Sequence, residues 1–491
     1  MLYLFRILEK LVIIYFSLYF IIDLFLFISS LFIHRKIRKK ENTNYNYNSY
    51  SISIIVPAYN EEVSIVDCIK MLANVDYENF EIIVVNDGSK DNTFKKMLEA
   101  FSLTEIEFNL HTKIKTNTIR NVYRDIDNKI ILINKVNGGK ADSVNAGINL
   151  STKDYICTID ADSILDDQAL KKVIQPMIDN KFNFVTGGFL ATSNDLVISN
   201  NKVVNHKMPK NIWVLWQIVE YIKSFMIARL SLSKVNMLLI MSGAFSLFKK
   251  KDLLAVGGFL SEYNNHPYIL KSLGAKHKTV CEDMEIVIRL WRYYKENKIK
   301  GKASFLPDPV CWTEVPDNYK NLFKQRSRWH QGLGESLKIH RKIMFEPSYG
   351  TIGLLAMPYY FFFEFLSPFI KLFSLTFLIA LSIFDVIDAE WMLLLLISIL
   401  LITTIIMSVI TVLLEAKSKT EITVNRKTLR YNTFTDWVWL LTTSIIGSFS
   451  YEFFKVAAQF KGIINIIQNK NEWNKFERKG LNTIEPPTQI T

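Results

Sequence analysis

From Leu11 to Ile33 the chain runs 23 residues with a single interruption, Asp23. A stretch of that length crosses a hydrocarbon core of about 30 Å as a helix, the form in which one segment satisfies all its own backbone polar groups in lipid. No small-residue cleavage site follows, so the run reads as an anchor and not as a signal peptide. Arg35, Lys36, Arg38, Lys39 and Lys40 come next, and that excess of basic residues places the flank in the cytoplasm. Residues 1–40 are therefore expected to form an N-terminal transmembrane helix with its basic flank. The polar stretch 41–51, rich in Asn, Ser and Tyr, is expected to be a linker.

Beyond the linker the pattern changes to short apolar runs alternating with helical spacing. Ser53-Ile54-Ile55-Val56-Pro57 and Glu81-Ile82-Ile83-Val84-Val85 are β-branched runs that end in turn residues, with helical periodicity from Glu61 to Leu72 between them. Strands alternating with helices imply parallel βαβ units and a doubly wound α/β sheet over residues 52–335, and ligands of such sheets bind beyond the carboxyl ends of the strands. Charged residues make up 22% of the 491, too many for a protein embedded throughout, while 49% apolar residues are too many for a wholly soluble one. A cytosolic domain fused to membrane helices fits both.

Membrane-grade sequence returns in residues 336–467, where an interfacial helix and about three transmembrane helices are expected, with candidate spans Ile352–Phe384, Trp391–Leu414 and Trp437–Val456. Asp385, Asp388 and Glu390 favour an external loop after the first, and Lys417, Lys419, Arg426, Lys427 and Arg430 an internal loop after the second. The third span would leave the polar tail 468–491 outside, yet its Lys470, Lys475, Arg478 and Lys479 prefer the inside, so the side of the C-terminus stays open. The first span is longer than a crossing needs and holds Pro358, Glu364, Pro368 and Lys371, which suits an interfacial stretch or the lining of a polar passage.

The net charge of +12 is concentrated at the membrane flanks, where anionic head groups and nucleotide phosphates account for it. No basic face with interleaved aromatics is present elsewhere, so a nucleic-acid partner is not expected. Cys68, Cys157, Cys281 and Cys311 are widely separated and form no C-x-x-C, which excludes a disulfide framework or a zinc site and fits reduced cytosolic thiols.

Four short motifs carry the chemistry, in order: Val85-Asn86-Asp87-Gly88-Ser89, Asp160-Ala161-Asp162, Cys281-Glu282-Asp283, and Gln325-Arg326-Ser327-Arg328-Trp329. Each has a plain alternative. Asp87-Gly88 also suits a bare turn, D-x-D a solvated loop, Glu282-Asp283 the acidic first turn of a helix, and Arg328-Trp329 simple packing. Two further segments join them: Asn137-Gly138-Gly139-Lys140, a glycine turn running into a helix that contains Asn145, and Ser242 to Lys250, whose small residues permit backbone approach to a ligand.

In this order, and next to a membrane segment, the motifs resemble those of the processive, membrane-embedded family 2 glycosyltransferases, which make cellulose, chitin, hyaluronan and poly-N-acetylglucosamine. The resemblance covers roughly residues 52–334 by motif and implies a GT-A fold inserted between transmembrane helices, a UDP-sugar donor, Mg²⁺ or Mn²⁺, and inversion to a β-linkage. In the family the second acid of the pair is the base, so Asp283 would take the acceptor proton with Glu282 beside it. Many members have Thr or Gly where this chain has Cys281. A strand-end carboxylate such as Asp87 can accept hydrogen bonds from the uracil or ribose. Lys140 and Asn145 can reach donor phosphate or ribose. Asp160 and Asp162, sent to one side by strand alternation, can hold the metal with the substrate phosphates. Arg328 grips phosphate oxygens, and Gln325 and Trp329 complete the acceptor end. His330 is given no catalytic role.

The resemblance further implies elongation and export of a cell-surface polysaccharide, best matched by poly-N-acetylglucosamine through Ser242 to Lys250, from a multi-pass protein of the plasma membrane whose catalytic domain is cytoplasmic. Its partners would be the UDP-sugar, the growing polymer, the bilayer and an accessory membrane subunit. Two other classes remain: a transferase adding one sugar to a lipid acceptor, against which Q-x-x-R-W speaks, and an inactive membrane scaffold, which predicts a missing acid where Asp87, Asp160, Asp162 and Asp283 are all present.

Overall fold

The structure is a computed structural model and describes residues 2–38, 45–108, 113–194, 196–199, 202–206, 208–274, 279–384, 390–391, 394 and 433–470. Twelve strands are present among them: β1 (Ile52–Ala58), β2 (Phe80–Asn86), β3 (Thr104–Ile106), β4 (Ile119–Arg124), β5 (Ile130–Lys135), β6 (Tyr155–Ile159), β7 (Ser163–Leu165), β8 (Asn183–Thr192), β9 (Leu196–Ser199), β10 (Lys202–His206), β11 (Phe245–Lys249) and β12 (Lys302–Thr313). Ten form one sheet in the order β3-β4-β5-β2-β1-β6-β11-β8-β12-β7, and β9 pairs with β10 as a separate hairpin.

The heart of the sheet is parallel. β1 runs beside β2 with Ile52 opposite Phe80, and beside β6 with Ile52 opposite Tyr155, while β2 runs beside β5. Their side chains are buried on both faces rather than alternately, with Ile52, Ile54 and Ile55 at 0% exposure, as a sheet covered by helices on both sides requires. The chain moves from β1 to β2 to β5 in one direction and then returns to place β6 on the other side of β1. That reversal opens a crevice at the carboxyl ends of β1 and β6, the place where doubly wound sheets receive ligands. β11 is antiparallel to both β6 and β8 and closes this half of the sheet.

The crossover helices differ from expectation at their starts. The first begins at Ile65 and not at Glu61. Asn60 takes a left-handed φ of 55°, and the carbonyl of Glu61 is used by the amides of Ser64 and Ile65, so the polar residues form a turn before the helix. The helix expected over Asp283–Trp291 runs farther, Glu282–Glu296, because Ile286, Val287, Leu290, Trp291 and Tyr294 keep one side in the core.

The long N-terminal helix spans Leu2–Arg38, and its Phe5–His34 portion is long and apolar enough to cross a membrane. It is tied to the rest of the chain. Leu26 is buried in the main core, its carbonyl accepts the Ser231 hydroxyl at 2.6 Å, and Asp23 pairs with Lys223 at 3.6 Å. The expected span Ile352–Phe384 is a broken one: Ile352–Phe365 and Ser367–Ile383 meet at a bend of 48° and pass the same test only as a pair. Pro358 and Pro368 fall in this stretch, and Pro removes a helical donor and crowds the preceding turn.

Three separate C-terminal crossings are not what the described residues show. Most of Trp391–Leu414, its flanking charges and the tail beyond residue 470 lie outside them. The stretch Trp437–Val456 belongs to a 34-residue helix, Phe434–Ile467, which is not among the helices apolar enough to cross. This helix carries Glu452 and Lys455 and lies along Tyr319–Ile339. The expected break near residue 335 is also bridged, because Tyr319–Ile339 passes through it and one core cluster extends from Leu26 to Leu440.

Candidate active site

β2 ends in Asn86, and the next residue turns its carboxylate inward. Asp87 accepts Lys135 Nζ at 2.7 Å and the amide of Gly138 at 2.9 Å on Oδ1, and the amide of Gly139 at 2.8 Å on Oδ2. Lys135, at the end of β5, pairs also with Asp142 at 2.7 Å, and both of those side chains are fully buried. Burial raises the Asp142 carboxyl above its usual range, while the hydrogen bond and charge of Lys135 oppose the rise. Asp87 was expected to receive uracil or ribose. In the structure both its oxygens are engaged by donors of this chain, and it fixes the Gly138-Gly139 turn. A Cβ on Gly138 would collide with Asp142, which explains the glycine there.

That turn launches the helix Lys140–Leu150 and aims Lys140 across the crevice. Its ammonium pairs with Asp160 at 2.5 Å, donates to the carbonyl of Gly243 at 3.1 Å, and lies 3.7 Å from Glu282. Burial alone would lower the Lys140 pKa, but Asp160 and then Glu282 outweigh it and hold the side chain charged. Asn145, expected to face the donor, is instead buried and bonds both the amide and the carbonyl of Phe259, a structural clamp. Phe245 and Phe248 are core residues of β11, and Phe248 also lines the cleft.

Glu282 and Asp283 open their helix at the opposite wall. Asp283 Oδ2 accepts the amide of Gly243 at 2.8 Å, and Oδ1 accepts that of Met284 at 3.0 Å. Burial raises the pKa of Glu282; Lys140 opposes this and the neighbouring Asp283 adds to it. Behind the pair, Arg289 grips Glu285 through two nitrogens at 2.9 and 2.8 Å, and His340 reaches Glu285 at 3.0 Å, all three fully buried. This cluster ties the acid-bearing helix to the end of Tyr319–Ile339. Lys140, Gly243, Glu282 and Asp283 thus line one small cleft with Val144, Thr158, Phe248 and Phe259 beneath them.

Asp160 and Asp162 lie in the turn between β6 and β7, not within a strand, so alternation does not set their directions. Asp160 is 30% exposed at the cleft, whereas Asp162 is buried and accepts the Ser163 hydroxyl at 3.3 Å. Among the described residues no three His, Cys, Asp or Glu side chains converge into a ready cation cage. Two carboxylates nevertheless fit Mg²⁺ or Mn²⁺, which commonly take one or two from the protein and the rest from substrate phosphates and water.

Gln325, Arg328 and Trp329 sit on Tyr319–Ile339, Gln325 buried and the other two partly exposed. Arg328 is close enough to Glu282 to favour its ionised form, which brings this motif to the acid pair. Its carbonyl also receives the Cys281 thiol at 3.7 Å. Cys281 packs directly on Gly332, where a Cβ would overlap its sulfur, so the two helices touch there. His330 is buried and stacked on Phe365 at 5.2 Å, consistent with a packing role.

Sequence reasoning missed Lys135, Arg326 and Glu220, whereas Gly243 lies in the small-residue segment it singled out. A lysine closing an apolar β-branched strand was a visible signal for the first. Nothing local marked Glu220, whose partner lies 106 positions away.

Residues 53–251 match the family described as Glycosyl transferase family 2, and residues 155–414 the Glycosyl transferase family group 2. The chain is 28% identical over 287 residues to a poly-beta-1,6-N-acetyl-D-glucosamine synthase of Staphylococcus epidermidis, covering 58% of this chain and 55% of that protein. It is 27% identical over 327 residues to the enzyme of the same name from Staphylococcus aureus, covering 66% and 64%. The chain thus spans between half and two thirds of the length of these relatives. Among solved structures, a mannosyltransferase of Pyrobaculum calidifontis in complex with GDP-Man and Mn²⁺ aligns with a TM-score of 0.48 at 14% identity, over 93% of this chain and 100% of that one.

Proposed function

The chain belongs to the family 2 glycosyltransferases, and on that premise we propose that it transfers N-acetylglucosamine from UDP-N-acetylglucosamine, with inversion, to the growing end of a β-linked cell-surface polysaccharide. The name borne by its relatives supports the sugar, and the apolar helix Phe5–His34 supports work at a membrane, with the catalytic domain on the cytoplasmic side and the polymer passed outward. One observation carries the chemistry: a cation, Lys140, and a carboxylate, Asp283, face each other across the single backbone unit of Gly243.

Asp283 is the base. Its carboxylate, held by the amides of Gly243 and Met284, takes the proton of the acceptor hydroxyl while that oxygen attacks the anomeric carbon. The bond from that carbon to the diphosphate breaks, and UDP leaves with the electron pair. Lys140 and Arg328 face the departing phosphates. Asp160 and Asp162 would hold Mg²⁺ or Mn²⁺, which when bound offsets charge on the leaving group. Asp87 acts at one remove, by fixing the turn that aims Lys140.

The test uses the full chain in lipid nanodiscs with UDP-N-acetylglucosamine, UDP-glucose and UDP-glucuronate offered separately, each with Mg²⁺ or Mn²⁺. UDP release and product size are read together. Release from UDP-N-acetylglucosamine with a high-molecular-weight product is expected. A single-sugar adduct on lipid would replace elongation by the lipid-acceptor reaction, and no release from any donor would sink the reading. Asp283→Asn should lower turnover at least about a hundredfold, the usual worth of a general base, with UDP affinity kept. Near-normal turnover would remove Asp283 from that role.

A further inference from the structure

Arg326 lies inside the Gln325–Trp329 stretch, and the transfer reaction as proposed gives it no task. Its guanidinium nevertheless makes three contacts at once. One amino group donates to Gln325 Oε1 at 2.5 Å and the other pairs with Glu220 Oε2 at 2.5 Å. The planar group lies over the Trp329 ring, 4.2 Å from its centroid. The side chain is only 4% exposed. Tyr221, next to Glu220, also stacks on the indole, with centroids 6.5 Å apart and planes 26° from parallel. Glu220 is itself held from the C-terminal helix, by the Tyr451 hydroxyl at 2.8 Å and by Lys455 at 4.0 Å.

The geometry points to Arg326, anchored by Glu220, as the positioning residue that sets the angle of the Trp329 ring and with it the seat of the acceptor sugar. The inference rests on the reading that Trp329 receives the acceptor. Guanidinium is suited to this because it is planar and can stack and fork at the same time, whereas an ammonium can keep only the ion pair. The two ends of the motif, Gln325 and Trp329, are joined through this one group. Glu220 comes from a helix distant in sequence, so the ring is clamped against the body of the protein and not merely against its own turn.

The experiment takes the full chain in nanodiscs with UDP-N-acetylglucosamine as donor and a β-linked N-acetylglucosamine oligosaccharide as acceptor. UDP binding with Mn²⁺, measured by calorimetry, monitors the donor side. Arg326→Lys keeps the charge and loses the stack. Its acceptor KM is expected to rise about tenfold, within the range of a desolvated cation–π contact, with UDP affinity unchanged. Glu220→Gln, which keeps the shape and frees the guanidinium, should raise acceptor KM in the same direction. An acceptor KM unaltered in both variants overturns the positioning role. So does a parallel loss of UDP affinity, which would mark a general structural effect. If Trp329→Ala leaves acceptor KM untouched, the acceptor reading itself fails, whatever Arg326 does.

Discussion

At the level of single residues, His330 offers a measurable signature. Burial pushes its pKa down to about 4, from an ordinary value near 6.5. The unfolded chain therefore takes up the proton first. His330 does not weaken the fold above pH 6.5, costs progressively more stability as pH falls toward 4, and adds nothing further below that. The full loss is about 3 kcal/mol. Replacing it by Gln should flatten the decline in unfolding midpoint between pH 6.5 and 4, which a denaturation series at stepped pH would read. Residues whose chemistry is unusual for their place were legible in the sequence: Lys140, Asp160 and Asp283 converge as expected. Asp87 was legible as important but not as internal, because the donors that turn it inward are two backbone amides and a lysine 48 positions on. Spacing along the chain says nothing about such partners.

At the level of elements, the parallel strands β1 and β2 followed from β-branched runs, since parallel strands buried on both faces advertise themselves by apolarity. Element ends did not, because Asn60 and Glu61 read as helical by pattern and form a turn through a left-handed φ. The helix Lys140–Leu150 illustrates how tightly the site is mounted. Gly147 meets β1 so closely that a Cβ there would come within 2.6 Å of Ile55. Gly147→Ala should cost about 1–3 kcal/mol of stability, the usual range for overpacking, read by thermal unfolding of the purified chain. Lys135→Met removes the cation shared by Asp87 and Asp142 and leaves two carboxylates buried, a loss of about 3–5 kcal/mol for a broken buried pair. Weaker UDP binding should accompany it, since the Gly138-Gly139 turn loosens. A variant as stable as wild type would show that the Lys135 pairs do not hold this turn.

At the level of the whole molecule, hydropathy located the apolar stretches but not how they are used. The expected long span is a bent pair, and the expected last span is a helix whose Lys455 and Tyr451 reach Glu220. Apolar content averages over a helix and is blind to a few charged residues placed to meet partners from elsewhere in the chain. The N-terminal helix is joined to the body through Leu26, Ser231, Asp23 and Lys223. Deleting residues 2–38 should therefore lower the unfolding temperature of what remains, not merely release it from the bilayer. An unchanged midpoint would make that helix a detachable tether.

Three of the donors that shape the cleft, the amides of Gly138, Gly139 and Gly243, belong to the main chain. No side-chain truncation can delete them. A panel of alanine variants therefore reads these bonds only from the acceptor side, where truncating Asp87 or Asp283 removes the carboxylate that receives them. The same arrangement gives tolerance: sequences can drift around these positions while the amides stay bonded to Asp87 and Asp283, so long as the turns that aim them are kept. Backbone-directed changes, such as an ester in place of one amide, are the probes to which such a surface answers.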